Sequence, residues 1–510
     1  MDLKGARILL KAGLIIPARP DRLIGMALQL ARWDLTPAGG YAVAASRDPH
    51  GLALIDDEGP LTFRELDLRS DRVAGELRAR GVRPGDAVGL LARNGRGFVE
   101  ALVAISKNGG DVLLLNTGFA ASQVAAVLDR EDAAAVIHDE EFRSLCDEAA
   151  QGRVRLTTEE LDRAASSGAR SAPPRTGRQG RIVILTSGTT GAPRGAARTS
   201  GTADDLVAFL SAIPLHAGEK TVIAAPVFHA WGLGHLTMAV LLGSTAVLQR
   251  RFDPKAVLAA IEEHQATALA VVPVMLDKLL EADPSAFDTS SLEVIASSGS
   301  ALPGVLATRV LEAFGPVLYN LYGSTEAAYA AVARPDDLAE DPHTAGRPPY
   351  GVTLRVVDDN GLDVPPGTHG RIFVGSGLAF GGYTDGSDKE RLDGLVATGD
   401  LGVIDAKGRL TVLGRDDDMV VIGGENVYPN QVEDVLLRHP GVVEVAVTAA
   451  DDPSFGVRLV AHVVGTADAE ELKALVRDEL ARFAVPRDVR YLDALPRNTT
   501  GKVLKRELAT

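Results

Sequence analysis

Short apolar runs alternate with helical segments from about residue 61 to about residue 321. The run "AVGLLA" (87–92) precedes the helical segment "GFVEALVAISKNG" and then "VLLLN"; later runs include "RIVIL", "TVIAA", "STAVL", "ALAVV", "SLEVI" and "PVLYN". Strands that alternate with helices form parallel sheets covered by those helices. The pattern therefore predicts an α/β fold with two helix-covered, mostly parallel sheets, roughly over residues 50–180 and 181–320.

The pattern changes after about residue 345. Segments such as "VTLRVVDDNGLDV" and "LGVIDAKGRLTVLGR" alternate around Asp-Asn-Gly and Lys-Gly turns, which is typical of hairpins. They predict a small β-barrel-like subdomain that completes a large N-terminal domain of residues 1–415. Helix and strand patterns mix again after "GRDDDMV", so residues 416–510 are expected to form a small α+β C-terminal domain.

Composition excludes some classes of protein. The chain of 510 residues has a formal net charge of −15, and proteins that bind nucleic acids without sequence preference need a basic surface. With one cysteine, Cys146, no intrachain disulfide can form, and no apolar run approaches the roughly 18 residues of a membrane-spanning helix. We expect a cytoplasmic protein with no transmembrane segment and no nucleic-acid partner.

Residues 21–33 predict an amphipathic helix. Its two faces are Leu23, Met26, Ala27 and Leu30 on one side and Arg22, Gln29 and Arg32 on the other. The helix can dock on its own domain, or it can make weak contact with a membrane surface.

The segment "TSGTTGAPRG" (186–195) directly follows the apolar run "RIVIL". Its small residues let backbone N–H groups converge, its hydroxyls add donors, and Arg194 adds a positive charge. This chemistry favours a polyphosphate ligand, although a flexible linker has a similar composition. A linker seldom interrupts a strand–helix alternation directly after a strand, and the segment is not a Walker A loop because no GxxxxGK[ST] occurs.

Other strands also end in polar or glycine-rich segments. "PVFHAWGLG" follows "TVIAA", "PVM" follows "ALAVV", "SSGSALP" follows "SLEVIA", and "LYGSTE" follows "PVLYN". Ligands of parallel α/β sheets bind outside the carboxyl ends of the strands. If "DAKG" is a hairpin turn, Asp400 and Arg415 lie opposite each other, either to hold a ribose and phosphate or as a plain salt bridge.

Five segments of the chain resemble the ordered core motifs of the adenylate-forming superfamily, which includes acyl-CoA synthetases, carrier-protein adenylation domains and firefly-type luciferases. They are "TSGTTGAPRG", "NLYGSTEA", "ATGDLG", "GRDDDMVVIGGENVYPNQVE" and "LPRNTTGK", and the resemblance extends from about residue 45 to residue 510. It implies that a carboxylate attacks the α-phosphate of ATP, giving an acyl-adenylate and pyrophosphate, and that a thiol then displaces AMP.

The resemblance also implies roles for single residues. The outer phosphates are expected to contact Thr186, Ser187, Gly188, Thr189, Thr190, Gly191 and Arg194; Arg194 stands where the family usually has Lys, so the charge is kept but the geometry differs. Mg²⁺ is expected on Glu326 and Thr186, and the α-phosphate near Thr325. The nucleoside is expected to contact Tyr322, Gly323, Ser298, Gly299, Ser300, Asp400 and Arg415.

Lys502 is expected to bridge the attacking carboxylate and the α-phosphate. Because it lies on the small domain, that domain must close over the site and then rotate about Asp417. Rotation would bring Gly423 and Gly424 to the arm of coenzyme A.

The acid is less well defined. Amino-acid-activating relatives carry an Asp where this chain has His229, so an amino acid is not expected. The resemblance implies an apolar acid pocket lined by His229, Trp231, Val272 and Met275. Such a pocket suits a fatty acid, with an aryl acid as the alternative. CoA is the expected acceptor; a carrier-protein thiol, a luciferase-like oxygenase and a non-catalytic nucleotide-binding protein are alternatives. The sequence does not give the oligomeric state, and a homodimer is one alternative.

Overall fold

The computed structural model describes most of the chain. The described residues are 2–14, 19–167, 177–186, 194–198, 203–377, 382–384, 386, 388–416, 419–422, 425–452, 456–480, 482–498 and 501–508.

The α-helices of this part of the chain are α1 (Leu3–Lys11), α2 (Pro20–Trp33), α3 (Pro37–Arg47), α4 (Phe63–Ala79), α5 (Arg96–Lys107), α6 (Ala121–Arg130), α7 (Arg143–Ala149), α8 (Thr158–Ser167), α9 (Ala203–Ala212), α10 (Ala230–Leu242), α11 (Pro254–His264), α12 (Pro273–Glu281), α13 (Gly304–Phe314), α14 (Pro335–Glu340), α15 (Pro429–Leu436) and α16 (Ala469–Glu479).

Its β-strands are β1 (Leu52–Asp56), β2 (Gly59–Thr62), β3 (Ala87–Leu91), β4 (Asp111–Leu114), β5 (Ala133–His138), β6 (Val154–Thr157), β7 (Ile182–Thr186), β8 (Arg194–Arg198), β9 (Lys220–Ile223), β10 (Thr245–Leu248), β11 (Ala268–Val271), β12 (Val294–Ser297), β13 (Leu318–Ser324), β14 (Ala328–Ala333), β15 (Thr353–Val357), β16 (His369–Gly375), β17 (Arg391–Leu392), β18 (Leu395–Ile404), β19 (Leu410–Arg415), β20 (Val420–Ile422), β21 (Glu425–Val427), β22 (Val442–Asp452), β23 (Gly456–Gly465) and β24 (Asp488–Tyr491).

The chain forms two compact units. The first comprises Met1–Val271, Glu281–Ala296 and Ser376–Lys389, and the second comprises Val272–Leu280, Ser297–Gly375 and Glu390–Thr510. The predicted division at residue 415 stays a prediction.

The first unit contains the predicted helix-covered sheets. One has the strand order β6-β5-β3-β4-β7-β8, parallel except for β8. In the other, strands run in the order β12-β11-β9-β10-β1-β2, and β11, β9, β10 and β1 are mutually parallel. The α/β fold class is confirmed, but the expected division of strands is wrong. The strand "RIVIL" (β7) pairs with β4 in the first sheet, and β1 joins the second sheet.

Local signals explain how several elements form. Thr62 caps α4 reciprocally with Glu65: the Thr62 hydroxyl accepts from the Glu65 N–H at 3.2 Å, and the Thr62 N–H donates to the Glu65 carboxylate at 2.8 Å. All five residues of β3 are buried, as expected when helices cover both faces of a parallel sheet.

The second unit contains the predicted hairpins. Strands β15, β16, β18 and β17 form a sheet in that order, and β19 pairs with β18. Residues from β20 onward have an apolar core of their own around Val432, Leu436, Val447 and Leu459. This agrees with the α+β pattern predicted there. Among the described residues, no helix has the length and apolar character that crossing a membrane requires.

Candidate active site

The hairpin of β13 and β14 carries four of the predicted site residues. Tyr322 and Gly323 lie on β13, and Thr325 and Glu326 lie in the turn. The Ser324 hydroxyl accepts hydrogen bonds from the backbone N–H groups of Glu326 at 3.2 Å and Ala327 at 3.0 Å. The turn therefore holds Thr325 and Glu326 side by side, both half-buried, at the end of β13.

Gly323 allows this hairpin to close. A Cβ atom at this position would lie 1.9 Å from the carbonyl oxygen of Ala328, so a larger residue would force the strands apart. Gly323, which the sequence places near the nucleotide, thus has a structural reason to be glycine whether or not it contacts a ligand.

Tyr322, Asp400 and Arg415 form one polar group. The strand register pairs Asp400 with Arg415, as the "DAKG" turn predicts, and the Arg415 Nη1 lies 3.8 Å from the Asp400 Oδ1. The Tyr322 hydroxyl donates to the Asp400 carboxylate. Burial and the charge of Asp400 raise the pKa of Tyr322 well above its ordinary value, so this phenol stays protonated.

This arrangement bears on the two interpretations of Asp400. An ion pair at 3.8 Å between partly exposed side chains is loose, and a carboxylate accepts about four hydrogen bonds. The geometry therefore leaves room for ligand hydroxyls as well as the cross-strand contact.

The residues that follow β12 differ in how exposed they are to solvent. The Ser298 hydroxyl is buried and donates to the Leu321 carbonyl at 2.8 Å, which ties the turn to β13. Gly299 is exposed, with a positive φ of 96°, and a Cβ atom there would lie 3.3 Å from Val272. Ser300 is half-buried. Of the three residues Ser298, Gly299 and Ser300, the last two are thus accessible to a ligand.

Lys502 lies in a loop that packs on α12. The Asn498 side chain accepts from the Lys502 N–H at 2.9 Å, which closes the loop. Gly501 has a positive φ of 77°, and a Cβ atom there would lie 2.2 Å from Val274 Cγ1. The close approach brings the exposed Lys502 next to the first turn of α12, where Val272 and Met275 are buried.

A second contact joins the small-domain segment to the same unit. His343 Nδ1 lies 3.4 Å from the Asp434 carboxylate, and this hydrogen bond raises the pKa of His343 above its ordinary value. Asp434 belongs to α15, whereas His343 follows α14. The two contacts, at Gly501 and at Asp434, join residues 416–510, the small-domain segment, to the rest of the second unit in the observed position.

The first unit carries the ends of the segment predicted to bind phosphate (186–195) and the N-terminus of α10. Thr186 ends β7 and Arg194 begins β8, and the two residues are register partners. Their side chains, and all of Ser187, Gly188, Thr189, Thr190 and Gly191, lie outside the described residues. The same holds for Asp417, Gly423 and Gly424, so the predicted phosphate, hinge and coenzyme A contacts stay predictions.

His229 and Trp231 lie at the start of α10. His229 precedes the helix, and its ring is tilted by 48° against that of Phe228, with ring centroids 4.5 Å apart. Burial lowers the pKa of His229 to about 4, so its ring is neutral at pH 7. The Trp231 indole N–H donates to the Val271 carbonyl at 2.9 Å, which fixes the indole in place.

Sequence reasoning missed His235, one turn further along α10. It is 1% exposed and makes edge contacts with Trp231 at 4.5 Å and Phe209 at 5.5 Å between ring centroids. Burial lowers the pKa of His235 to about 3. Neither ring nitrogen has a hydrogen-bond partner in the part of the chain that the structure describes. The spacing of four residues between Trp231 and His235 was the available signal, because such residues share a helix face.

Comparisons with known proteins identify the family. The family described as AMP-binding enzyme matches residues 41–384, and the AMP-binding enzyme C-terminal domain matches residues 431–502. Feruloyl-CoA synthase from an Amycolatopsis species is 35% identical over 92% of this chain and 98% of its own. 2-Succinylbenzoate–CoA ligase from Bacillus licheniformis is 31% identical over 91% of this chain and 98% of its own.

A solved structure is also similar. The o-succinylbenzoate CoA synthetase of Bacillus subtilis, in complex with its acyl-adenylate intermediate, superimposes with a TM-score of 0.83 and 30% sequence identity. The match covers 92% of this chain and 98% of that one.

The pair of His343 and Asp434 predicts a pH effect. The pKa of His343 is raised, so the stabilisation of this small-domain position is fully present below about pH 6.5 and is lost as the pH rises through the raised pKa. Because both side chains are about one-third exposed, we expect a change of a few-fold. The role expected for Lys502 in adenylation requires this position, so single-turnover formation of acyl-adenylate should fall with rising pH in the parent protein and fall less in His343→Gln. Identical pH profiles for the two proteins would show that the pair has no such effect.

Proposed function

The chain belongs to the AMP-binding enzymes of the adenylate-forming superfamily, as an acid–thiol ligase that uses ATP, Mg²⁺ and coenzyme A, and we propose that its acid is an aryl carboxylic acid with a hydrogen-bonding ring substituent.

His235 is the observation that carries this proposal. A buried polar group without a hydrogen bond costs roughly 1–3 kcal/mol, so a partner is expected. His235 is neutral and enclosed by the rings of Trp231 and Phe209. A ring hydroxyl supplies the missing partner, since neutral imidazole can donate or accept, and the two aromatic side chains suit an aromatic guest.

The spacing along α10 supports the same class of acid. His229 and His235 are six residues apart, which corresponds to about 9 Å along a helix axis. If the carboxylate lies beside His229, this distance suits a ring that a short spacer joins to the carboxylate. The two curated relatives are also named for aromatic acids, feruloyl and 2-succinylbenzoate.

The fatty acid that the sequence favoured becomes the second candidate. Its support was the amphipathic N-terminal segment together with the apolar side chains of Val272 and Met275, both of which are buried. An alkyl chain offers no partner for the ring nitrogens of His235, so it satisfies the site less well than a hydroxylated ring.

The proposed contacts to the nucleotide come from several residues. Arg194 and the preceding loop hold the outer phosphates, and Thr325 contacts the α-phosphate. Asp400 receives the ribose hydroxyls while Tyr322, kept protonated, holds the carboxylate of Asp400 in place and presents its ring to adenine. Developing charge on the phosphates is neutralised without a covalent step on the protein.

The fixed turn at Ser324 suits a metal ligand, because it orients the half-buried Glu326, and carboxylate oxygens are ligands that Mg²⁺ prefers. Thr186 would supply a second oxygen. The bound ion supplies positive charge to the phosphate oxygens.

Coenzyme A is the acceptor in the second step, and the proposed contacts to its arm are Gly423 and Gly424 after rotation about Asp417. The names of the two curated relatives support coenzyme A over a carrier-protein thiol. Location in the cytoplasm and a homodimeric state stay predictions.

Lys502→Ala separates the two half-reactions. Lys502 serves adenylation only while its loop lies on α12, so acyl-adenylate formation should fall by something on the order of 10²–10³-fold, the scale for one electrostatic stabiliser. Supplied acyl-adenylate plus CoA should still give acyl-CoA at nearly the parent rate. Single-turnover assays of each step measure this, with Lys473→Ala on the surface of α16 as the control. Equal loss of both steps would rule out the rotating domain.

His235→Phe tests the acid. The parent enzyme should prefer hydroxylated aryl acids over the same acids without the hydroxyl and over fatty acids, judged by AMP and pyrophosphate release across a panel. His235→Phe should lower kcat/KM for the hydroxylated acids by roughly 10–100-fold and change the unsubstituted acids little. His235→Gln, which keeps a donor and an acceptor, should recover part of the loss.

Two results would count against the proposal. If fatty acids are the best substrates of the parent enzyme, the acid class is wrong. If His235→Phe lowers kcat/KM equally for every acid, His235 has only a packing role.

A further inference from the structure

The helix α2 turns its apolar side toward solvent. Leu23 is 50% exposed, Ile24 62%, Leu28 64% and Leu30 45%. Amphipathic helices on soluble proteins normally bury this side against the core. The sequence allowed docking on the domain, and the helix does pack there, but through its other side.

The side of α2 that faces the protein is small and polar. Arg22 donates through Nη1 to the Arg47 carbonyl at 2.8 Å, at the end of α3. A Cβ atom on Gly25 would lie 3.4 Å from the Ser46 side chain, at van der Waals distance, so this side of α2 packs directly against α3. The outward leucines and isoleucine are thus a consequence of a specific packing arrangement.

Helix α1 also carries exposed apolar side chains. Leu3 is 84% exposed and Leu10 59%, and Lys4, Arg7 and Lys11 are exposed beside them. We call the exposed side chains of α1 and α2, with Arg19 between them, the N-terminal patch.

Charge distinguishes this patch from the rest of the chain. Residues 1–33 contain six Lys and Arg residues and two Asp residues, whereas the whole chain has a net charge of −15. A basic segment with exposed apolar side chains, on an otherwise acidic protein, is the pattern of helices that lie in the interface of anionic membranes.

We propose that the N-terminal patch docks the enzyme on an anionic lipid surface. The boundary between headgroups and acyl chains would receive the side chains of Leu23, Ile24 and Leu28. The lipid phosphates would contact the charged groups of Lys4, Arg7, Lys11 and Arg19. A second copy of the chain fits less well, because a two-fold contact through this patch would bring the same cations together. The proposal concerns location and is independent of which acid the enzyme activates.

Co-sedimentation with vesicles tests the proposal. We expect the parent protein to sediment with vesicles of phosphatidylcholine and phosphatidylglycerol, to stay in solution with phosphatidylcholine alone, and to be released by salt. The triple variant Leu23→Glu, Ile24→Glu, Leu28→Glu should lose roughly tenfold or more of this binding.

The control is a variant with glutamates at exposed apolar positions of the second unit, Leu362→Glu and Val443→Glu, where the parent residues are 66% and 60% exposed. It should bind vesicles like the parent. Ligase activity on a soluble acid should be unchanged in both variants, which shows that they are folded and keeps this test separate from the proposed function.

Three outcomes would overturn the proposal. The parent protein stays in solution with anionic vesicles; or the triple variant binds them as well as the parent; or the parent is a dimer by light scattering that the triple variant converts to a monomer, without any vesicle binding.

Discussion

Contact between Gly501 and α12 is the constraint on which the arrangement of the second unit depends. The backbone of this glycine approaches Val274 so closely, and at a positive φ, that no side chain fits there. The loop that ends in Lys502 can therefore lie directly on the segment that contains Val272 and Met275. Together with the pair of His343 and Asp434, this contact holds the small-domain segment in the observed position, which we propose to be the one that serves adenylation.

Much of this could be predicted from the sequence, because the signals were local. Apolar runs located the strands, and the hairpin around "DAKG" indicated the pairing of Asp400 with Arg415, to which a register shift between Leu401 and Gly402 also contributes. The position of β7 could not be predicted in this way. A strand that follows a helix can join either neighbouring sheet, and only long-range packing decides that β7 pairs with β4.

The side of a helix that becomes buried is also a long-range property. The pattern of α2 shows an apolar side, but Gly25 and Arg22 fit the end of α3, so the apolar side stays outside. His235 could not be assigned for a similar reason. Its importance comes from Phe209, which lies on α9 and encloses the imidazole without satisfying its nitrogens. Both features suggest functions that the motifs alone do not specify.

The central claim is that the observed position of the small-domain segment serves adenylation and must be left for thioester formation. It is tested most directly by locking that position with cysteines in place of His343 and Asp434, joined by a short, reducible bis-thiosulfonate reagent, in a Cys146→Ala background. Our account predicts that the locked enzyme forms acyl-adenylate in a single turnover and releases acyl-CoA only after reduction. Acyl-CoA formation at the same rate before and after reduction would contradict it.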